Sequence, residues 1–168
     1  MIRVCTEEDI GTMVEIINGS ARAYEGHIPA DCYHQPYMPA EELRSEIAAG
    51  VTFYGDEEGG RLVAVMGIQD KGPVVLIRHA YTRTADRGRG IGSRLLAHLL
   101  QMTAKPVLIG TWREAGWAIR FYQKHGFRLV SEEEKETLLR TYWSISERQV
   151  ETSVVLVDDK YDRGLARA

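Results

Sequence analysis

The feature that most constrains this chain is a turn rich in arginine and glycine, RGRGIG at 87–92, which separates two segments of different periodicity. The apolar segment before it, 74–82, is typical of a β-strand, and 91–103 has the apolar spacing of an amphipathic helix. A strand that enters a helix through glycines leaves backbone N–H groups and a helix N-terminus free to face an anion. The turn therefore predicts an anion-binding site in a domain that contains both helices and strands.

The rest of the chain shows the same mixture of patterns, with no internal repeat and no interdomain linker. The pattern predicts one α+β domain over 1–157, followed by a polar tail over 158–168 that frays. The predicted strands are 1–5, an antiparallel hairpin over 51–70, 74–82, 107–112, 127–131 and 149–157. The predicted helices are 7–24, 40–50, 91–103, 116–126 and 135–143, with a long irregular loop between the first two.

Net charge limits which anion the turn can bind. The chain has 168 residues and a net charge of −3, so its basic character is local. Five arginines lie at or near the turn: Arg78, Arg83, Arg87, Arg89 and Arg94. A chain without an overall positive charge is not expected to bind nucleic acid through bulk electrostatics.

Neither the cysteines nor the apolar segments indicate a metal centre or a membrane protein. Cys5 and Cys32 lack the spacing of metal ligands and are interpreted as free thiols of a reducing compartment. The N-terminal residues have no signal-peptide core, and no apolar run approaches the ~18 residues that a membrane span needs. We therefore expect a cytoplasmic protein with no metal and no membrane partner.

The glycine spacing argues against two common nucleotide sites. A dinucleotide fingerprint needs G-x-G-x-x-G in a parallel strand–turn–helix unit, whereas Gly88, Gly90 and Gly92 follow a strand that comes after a hairpin. A phosphate loop needs G-x-x-x-x-G-K-S/T, which the sequence does not contain. A turn without a ligand is a third possibility, although three glycines among the arginines are more than a tight turn requires.

Two sequence blocks resemble the signatures of one family. Arg87-x-x-Gly90-x-Gly92 is similar to the acetyl-CoA signature of the GCN5-related N-acetyltransferases (GNAT), and AIRFYQKHGF at 118–127 resembles that family's second signature. The resemblance extends from about residue 2 to residue 157. It implies a single-domain GNAT fold of the α+β class. That fold has a mixed, mostly antiparallel sheet of about seven strands, splayed at its centre and flanked by about four helices.

The resemblance also implies an activity. Members of the family transfer an acetyl group from acetyl-CoA, a cosubstrate used without a metal, to a primary amine that attacks the thioester directly. Aromatic residues in 24–38 and 132–148 give a layout similar to that of phosphinothricin-type and other small-amine acetyltransferases, so the expected acceptor is a small-molecule amine or an amino acid. The same aromatics could equally pack a homodimer, which is common in the family. The alternative function is a non-catalytic acyl-CoA-binding regulatory module.

The cofactor contacts follow from the resemblance. The pantetheine arm is expected to pair with the backbone of Tyr81, Thr82 and Arg83. The pyrophosphate is expected at the backbone amides of the turn, with added charge from two arginines. That set is Arg87, Gly88, Arg89, Gly90, Ile91, Gly92 and Ser93. An asparagine that often holds the pantetheine in the family is replaced here by Ala115.

The catalytic groups are less constrained. Tyr122, in the second block, matches the tyrosine with which many members protonate the leaving sulfur, and simple core packing is the alternative. The usual positions for a base on the central strand hold no base in this sequence. Two residues are candidate bases: His79, if a β-bulge turns it into the cleft, and Glu25 in the long loop. A base role for His27 stays open as well, as does direct loss of the proton to water.

Overall fold

The protein, as a computed structural model, is described for residues 1–166, which are organised around one seven-stranded sheet. The strands are β1 (Ile2–Val4), β2 (Thr52–Glu58), β3 (Arg61–Asp70), β4 (Val75–Thr82), β5 (Val107–Trp112), β6 (Arg128–Leu129) and β7 (Ser153–Val157). Their order is β1-β2-β3-β4-β5-β7-β6, and β4 pairs with β5 in parallel while the other neighbours are antiparallel. The predicted mixed, mostly antiparallel sheet is confirmed.

The described residues form seven α-helices, more than the four or so that the resemblance implied. They are α1 (Ile10–Ala21), α2 (Ala40–Ala48), α3 (Ile91–Leu100), α4 (Gly116–Lys124), α5 (Glu132–Tyr142), α6 (Glu147–Thr152) and α7 (Asp159–Ala166). α3 and α4 pack against one face, where Ile77 and Ile109 point. α1, α2 and α5 lie on the other face, over Val65, Leu76 and Leu108. None of the helices in the described part of the chain is long and apolar enough to cross a membrane.

The two central strands separate after a short contact. β4 and β5 are paired only at Val75↔Val107, Leu76↔Leu108 and Ile77↔Ile109. β4 then continues to Thr82 and β5 to Trp112 without pairing with each other. The sheet is therefore splayed at its centre, as the resemblance implied, and the gap exposes one backbone edge of β4.

A β-bulge interrupts β4 beside this gap. Gly67 of β3 pairs with Arg78 and Val65 pairs with Tyr81, so two residues of β4 face one residue of β3. His79, at the bulge, has a positive φ of 54°. A Cβ at Gly67 would lie 2.9 Å from the carbonyl oxygen of Arg78, so the close approach of the two strands requires glycine at this position.

Two predictions for the C-terminal part are wrong. Residues 149–152, predicted as the start of the last strand, belong to α6, because Ser146 and Gln149 form a capping box that starts a helix there. The polar tail forms α7, which is held by ion pairs from Asp162 to Arg128 (2.5 Å) and by a hydrogen bond that Tyr161 donates to Glu134 (2.6 Å). Residues 167–168 of that tail lie outside the described part.

Candidate active site

The glycine turn presents a row of free backbone N–H groups. Gly88 and Gly90 have φ values of +79° and +76°, and Gly90 is the N-cap of α3 in a left-handed conformation. None of the six backbone N–H groups from Gly88 to Ser93 donates to another described residue, and the next one, that of Arg94, bonds to the carbonyl of Gly90 at 3.0 Å. No side chain caps the helix, so the amides can converge on a bound anion.

The two arginines of the turn differ in the contacts that their guanidinium groups make within the protein. Arg89 is tied to two carboxylates, Glu58 at 2.8 Å and Asp86 at 3.0 Å. Arg87 makes one contact, from Nη2 to the backbone carbonyl of Ser20 at 3.3 Å, and its side chain lines the cleft beside the turn. Arg87 therefore has the guanidinium that can approach an anion there without breaking an ion pair.

The first cavity occupies the α3 side of the gap, with a volume of about 380 Å³. It runs from the glycine turn along the edge of β4 to α4, and its wall includes Gly92, Thr82 and Trp117. A Cβ on Gly92 would lie 3.5 Å from the ring of Phe121, which leaves little space between α3 and α4. A long, narrow ligand with an anionic end fits this shape.

Of the three residues predicted to contact the pantetheine arm, only Thr82 has backbone groups on the open edge of β4. The backbone N–H of Arg83 donates to Val63 in β3 at 2.8 Å, and Tyr81 is paired with Val65, so the backbone of both residues faces β3. Successive residues of an antiparallel strand alternate in direction, so the peptide groups of Thr82 face the gap. The hydroxyl of Ser20 donates a hydrogen bond to the carbonyl of Thr82 there.

A second cavity, of about 150 Å³, lies on the other side of the gap and shares a wall with the first. Five residues line both cavities: Tyr24, Ala80, Tyr81, Ala118 and Tyr122. The side chain of Tyr122 is almost fully buried, and its hydroxyl makes no hydrogen bond to a described residue. Burial, together with Tyr24, raises the pKa of Tyr122 above its usual range, so the phenol keeps its proton at neutral pH.

A third cavity, of about 410 Å³, continues outward from the second one. The bulge places His79 in the wall of both, and its ring stacks on Phe53 with centroids 6.0 Å apart. Its Nε2 lies 3.6 Å from Oε2 of Glu46 on α2, and Nη1 of Arg78 lies 2.9 Å from that oxygen. The prediction for His79 required a β-bulge that turns this residue into the cleft, and the structure has that bulge.

The remaining candidate bases, Glu25 and His27, line none of these cavities. Glu25 is exposed and lines none of the three. His27 is also exposed, and the edge of its ring contacts Trp117 with centroids 5.4 Å apart. The structure therefore brings Tyr122 and His79 to one site and leaves Glu25 outside it. In the described residues no group of three His, Cys, Asp or Glu side chains is arranged to hold a metal ion.

Sequence reasoning missed four residues of the site: Ser20, Glu46, Arg78 and Trp117. Trp117 stacks on Tyr24 with centroids 6.0 Å apart and has a local signal, since it lies in the first turn of the helix that carries Tyr122. Ser20 and Glu46 have none, because α1 and α2 meet β4 only in the folded chain. Ala115, where the family often has asparagine, is fully buried among apolar neighbours and offers no polar side chain.

Comparison with known families gives one match over most of the chain. The family model described as "Acetyltransferase (GNAT) domain" matches residues 5–141. None of the curated proteins matches the sequence.

Several solved structures share the fold. The PaiA N-acetyltransferase of Thermoplasma acidophilum, in complex with coenzyme A, has a TM-score of 0.69 and 17% identity, over 94% of this chain and 97% of that one. The ribosomal-protein-alanine N-acetyltransferase of Brucella melitensis has a TM-score of 0.63 and 18% identity, over 94% and 98%. The N-acetylglutamate synthase of Neisseria gonorrhoeae, bound to coenzyme A and N-acetyl-glutamate, has a TM-score of 0.65 and 20% identity, over 94% of this chain and 34% of that one.

Proposed function

The chain belongs to the GNAT acetyltransferase family, and on that premise we propose that it transfers the acetyl group of acetyl-CoA to a primary amine of a small molecule or an amino acid. The observation that supports this most is the row of six unpaired amides from Gly88 to Ser93, next to the splay of β4 and β5. A pyrophosphate needs several convergent N–H donors, and the two glycines with positive φ leave space for its close approach.

The first cavity can hold the rest of the acetyl-CoA molecule, its pantetheine arm and thioester. A pantetheine arm that leaves the turn can follow the free edge of β4 past Thr82 and reach the wall that the two cavities share. Acetyl-CoA supplies an activated acyl group there, as a thioester. Arg87 adds a charge-assisted contact to the phosphates, whereas Arg89 would first have to leave Glu58 and Asp86.

Tyr122 is the proposed general acid. When the amine nitrogen bonds to the thioester carbonyl carbon, the C–S bond breaks and its electron pair stays on sulfur. A thiol of this kind has a pKa of about 8.5, so the departing thiolate benefits from a proton. Tyr122 lies in the shared wall, and its hydroxyl has no hydrogen-bond partner among the described residues and is protonated at neutral pH, so it can supply that proton.

His79 is the proposed general base. An aliphatic ammonium has a pKa of about 10 and must lose one proton before its nitrogen can attack. The bulge brings His79 into the wall of the second cavity, on the side opposite to the glycine turn. The imidazole accepts that first proton and passes it to solvent through the third cavity. The second proton that the nitrogen loses, on forming the amide, replaces the proton that Tyr122 has given to sulfur.

The size and lining of the second cavity support a small acceptor. Its volume of about 150 Å³ is comparable to a single amino acid, and Tyr37 and Trp112 form part of its wall. Aromatic faces of this kind can hold an alkyl chain or a cation. The similar solved structures include enzymes named for an amino-acid product and for a protein acceptor, so the choice of a small amine depends on this cavity.

Two measurements test the proposal. Thermal unfolding with acetyl-CoA comes first, because a ligand that binds only the folded state raises the melting temperature. Release of free thiol from acetyl-CoA is then followed with the standard L-amino acids and with aliphatic primary amines. A melting temperature that does not change at millimolar acetyl-CoA contradicts the proposal. Binding without thiol release for any acceptor instead supports the non-catalytic acyl-CoA-binding module.

The homodimer and the cytoplasmic location expected from the sequence stay predictions. Trp117 and Leu129 are large apolar side chains at the surface, 37% and 39% exposed, but they lie on separate elements. Light scattering coupled to gel filtration measures the mass in solution directly, and a mass near 38 kDa, about twice that of one 19.0 kDa chain, is the expected result for a dimer.

A further inference from the structure

We propose that Glu46 is a positioning residue for the base, which holds the proton of the His79 imidazole on Nε2 and so leaves the lone pair of Nδ1 for the acceptor amine. This proposal rests on the proposed acetyl transfer. It concerns a contact between α2 and β4 that neither sequence signature contains, since both signatures lie C-terminal to the bulge.

The backbone at His79 is held in an uncommon conformation. Its φ of 54° is the single positive value among the non-glycine residues that the structure describes. Such conformations are sparsely populated for residues with a Cβ and tend to persist where the surrounding structure imposes them. Gly67 across the bulge and the ring of Phe53 beneath the imidazole impose it here. The two contacts fix the ring before any substrate enters.

The two ring nitrogens of His79 have different surroundings. Nε2 is shielded from solvent and makes no hydrogen bond to a described residue, and Oε2 of Glu46 lies 3.6 Å from it. A shift of about half an ångström brings this pair to hydrogen-bond distance. Nδ1 also lacks a partner among those residues but is accessible to solvent, and His79 lines the second and third cavities. A carboxylate beside Nε2 favours the tautomer with the proton on that nitrogen.

Glu46 is ionised in this position. Its side chain is 18% exposed, and the imidazole of His79, followed by the guanidinium of Arg78, holds the pKa of Glu46 below its usual range against the effect of burial. The carboxylate therefore lies between Arg78 and His79. Without it, the positive charge of Arg78 would oppose the protonation of the neighbouring imidazole during the reaction.

The other groups around His79 are accounted for. Gln69 of β3 accepts a hydrogen bond from Nη1 of Arg78 at 3.3 Å and carries no charge. Arg148 also lines the third cavity, and it is paired with Asp31 at 2.8 Å. The remaining titratable side chains in the wall of the third cavity are Cys32, His34, Tyr37 and Glu42. Glu46 is the carboxylate in contact with the ring.

The first test reads the tautomer directly. The five histidines are labelled with ¹⁵N, and the ring signals of His79 are identified by their loss in His79→Gln. The wild-type protein is expected to show protonated Nε2 and unprotonated Nδ1 at high pH, and Glu46→Ala is expected to give a mixture of tautomers. Unchanged signals from the other four histidines show that the variant is folded. Protonated Nδ1 in the wild-type protein overturns the proposal.

The second test measures kcat as a function of pH. Its substrate is the amine of the panel that gives the fastest thiol release. In Glu46→Gln the acid limb of the kcat profile is expected to move by about one pH unit to lower pH, and kcat to fall about tenfold, with the KM for acetyl-CoA unchanged. Glu41→Gln is the matched control, because Glu41 is an exposed glutamate of the same helix that lines none of the cavities. Its profile is expected to match the wild-type profile.

Double substitution separates a positioning role from a structural one. In a His79→Gln background, Glu46→Gln is expected to cause no further loss of kcat, since its effect passes through the imidazole. An equal further loss overturns the proposal. An unchanged acid limb in Glu46→Gln, with an active wild-type enzyme, overturns the role of Glu46 and leaves acetyl transfer intact. A wild-type protein that releases no thiol with any amine overturns both.

Discussion

The indole Nε1–H of Trp112, at the end of β5, donates a 2.7 Å hydrogen bond to the hydroxyl of Tyr37 in the loop before α2. This bond joins the irregular loop to the strand that leaves the splay, and both residues line the second and third cavities. The loop before α2 is therefore fixed to β5 at the cavity proposed for the acceptor amine.

Loss of this hydroxyl is expected to lower stability. Tyr37→Phe leaves the indole N–H of Trp112, a side chain only 8% exposed, without an acceptor, and an unsatisfied buried donor costs about 1–3 kcal/mol. Urea unfolding measures the change. Tyr33→Phe is the control, because the hydroxyl of Tyr33 accepts one long bond from Gln35 at 3.4 Å on the surface. Equal free energies of unfolding for Tyr37→Phe and the wild-type protein would contradict the role of this bond.

Removal of the proposed acid is expected to slow the reaction without weakening donor binding. Tyr122→Phe keeps the packed ring and removes the proton, and positioned acids contribute about 10²–10⁴-fold in rate. The kcat for thiol release is expected to fall by that factor, with the same thermal shift for acetyl-CoA. Tyr142→Phe serves as the control, since Tyr142, the last residue of α5, is half-buried and lines no described cavity. Turnover of Tyr122→Phe near the wild-type value across the pH range would exclude the acid role.

Local patterns predicted the parts of the site that short stretches of sequence determine. The turn from Gly88 to Gly92 is one of them, because glycines with positive φ and a helix start are both readable from adjacent residues. The sequence could not predict the bulge at His79, so the role of His79 was predicted only on condition that a bulge occurs. Its cause lies on another strand, at Gly67, and no property of 74–82 alone distinguishes a bulged strand from a regular one.

Contacts between distant elements account for what the sequence left open. Glu46 reaches His79 because α2 packs beside β4, and Ser20 reaches Thr82 because α1 lies along the open edge of that strand. Residues 149–152 were predicted as strand from their neighbours in β7, but the capping box of Ser146 and Gln149 favours a helix there. The first two contacts exist only in the folded chain, whereas the capping box is a local signal that the strand prediction overlooked.

The glycine at the N-cap of α3 is expected to matter for both stability and binding. Gly90→Ala places a Cβ on a residue with φ of +76°, which costs about 1–2 kcal/mol, and also fills space that the phosphates need. Gly72→Ala is a matched control, because Gly72 has φ of +91° in the β3–β4 turn, at the opposite end of β4 from the glycine turn. Both variants are expected to lose similar stability in urea. Only Gly90→Ala is expected to weaken acetyl-CoA binding in calorimetry, by about tenfold, and equal affinities for the two variants would contradict the anion site.

The N-terminal ion pair predicts a pH dependence of stability. Hydrogen bonds from Arg3 at 2.8 and 2.9 Å, followed by the backbone N–H of Thr6, lower the pKa of Asp9 to about 2, against about 3.9 in an unfolded chain. The folded state therefore favours the ionised form, and its contribution is complete above about pH 4 and is lost as the pH falls through about 2.

Asp9→Asn is accordingly expected to lower the free energy of unfolding at pH 7 by about 1 kcal/mol, after allowance for the solvent exposure of Arg3. The difference from the wild-type protein is expected to shrink as the pH approaches 2. Glu8→Gln is the control, since Glu8 is exposed in the same turn and makes no ion pair with a described residue. A difference that stays constant from pH 7 to pH 2 would contradict the assignment to Asp9.

The two arginines of the glycine turn are expected to contribute unequally to donor binding. Arg87 faces the first cavity with one backbone contact, whereas Arg89 is already held by Glu58 and Asp86. A charge-assisted hydrogen bond contributes about 1.5–3 kcal/mol, so Arg87→Ala is expected to raise the Kd for acetyl-CoA about 10- to 100-fold. Arg89→Ala removes the same charge from an existing network and is expected to change Kd less than threefold or so. Calorimetry at low and high salt measures both variants. A larger loss for Arg89→Ala would mean that the ion pairs of Arg89 open when the phosphates bind.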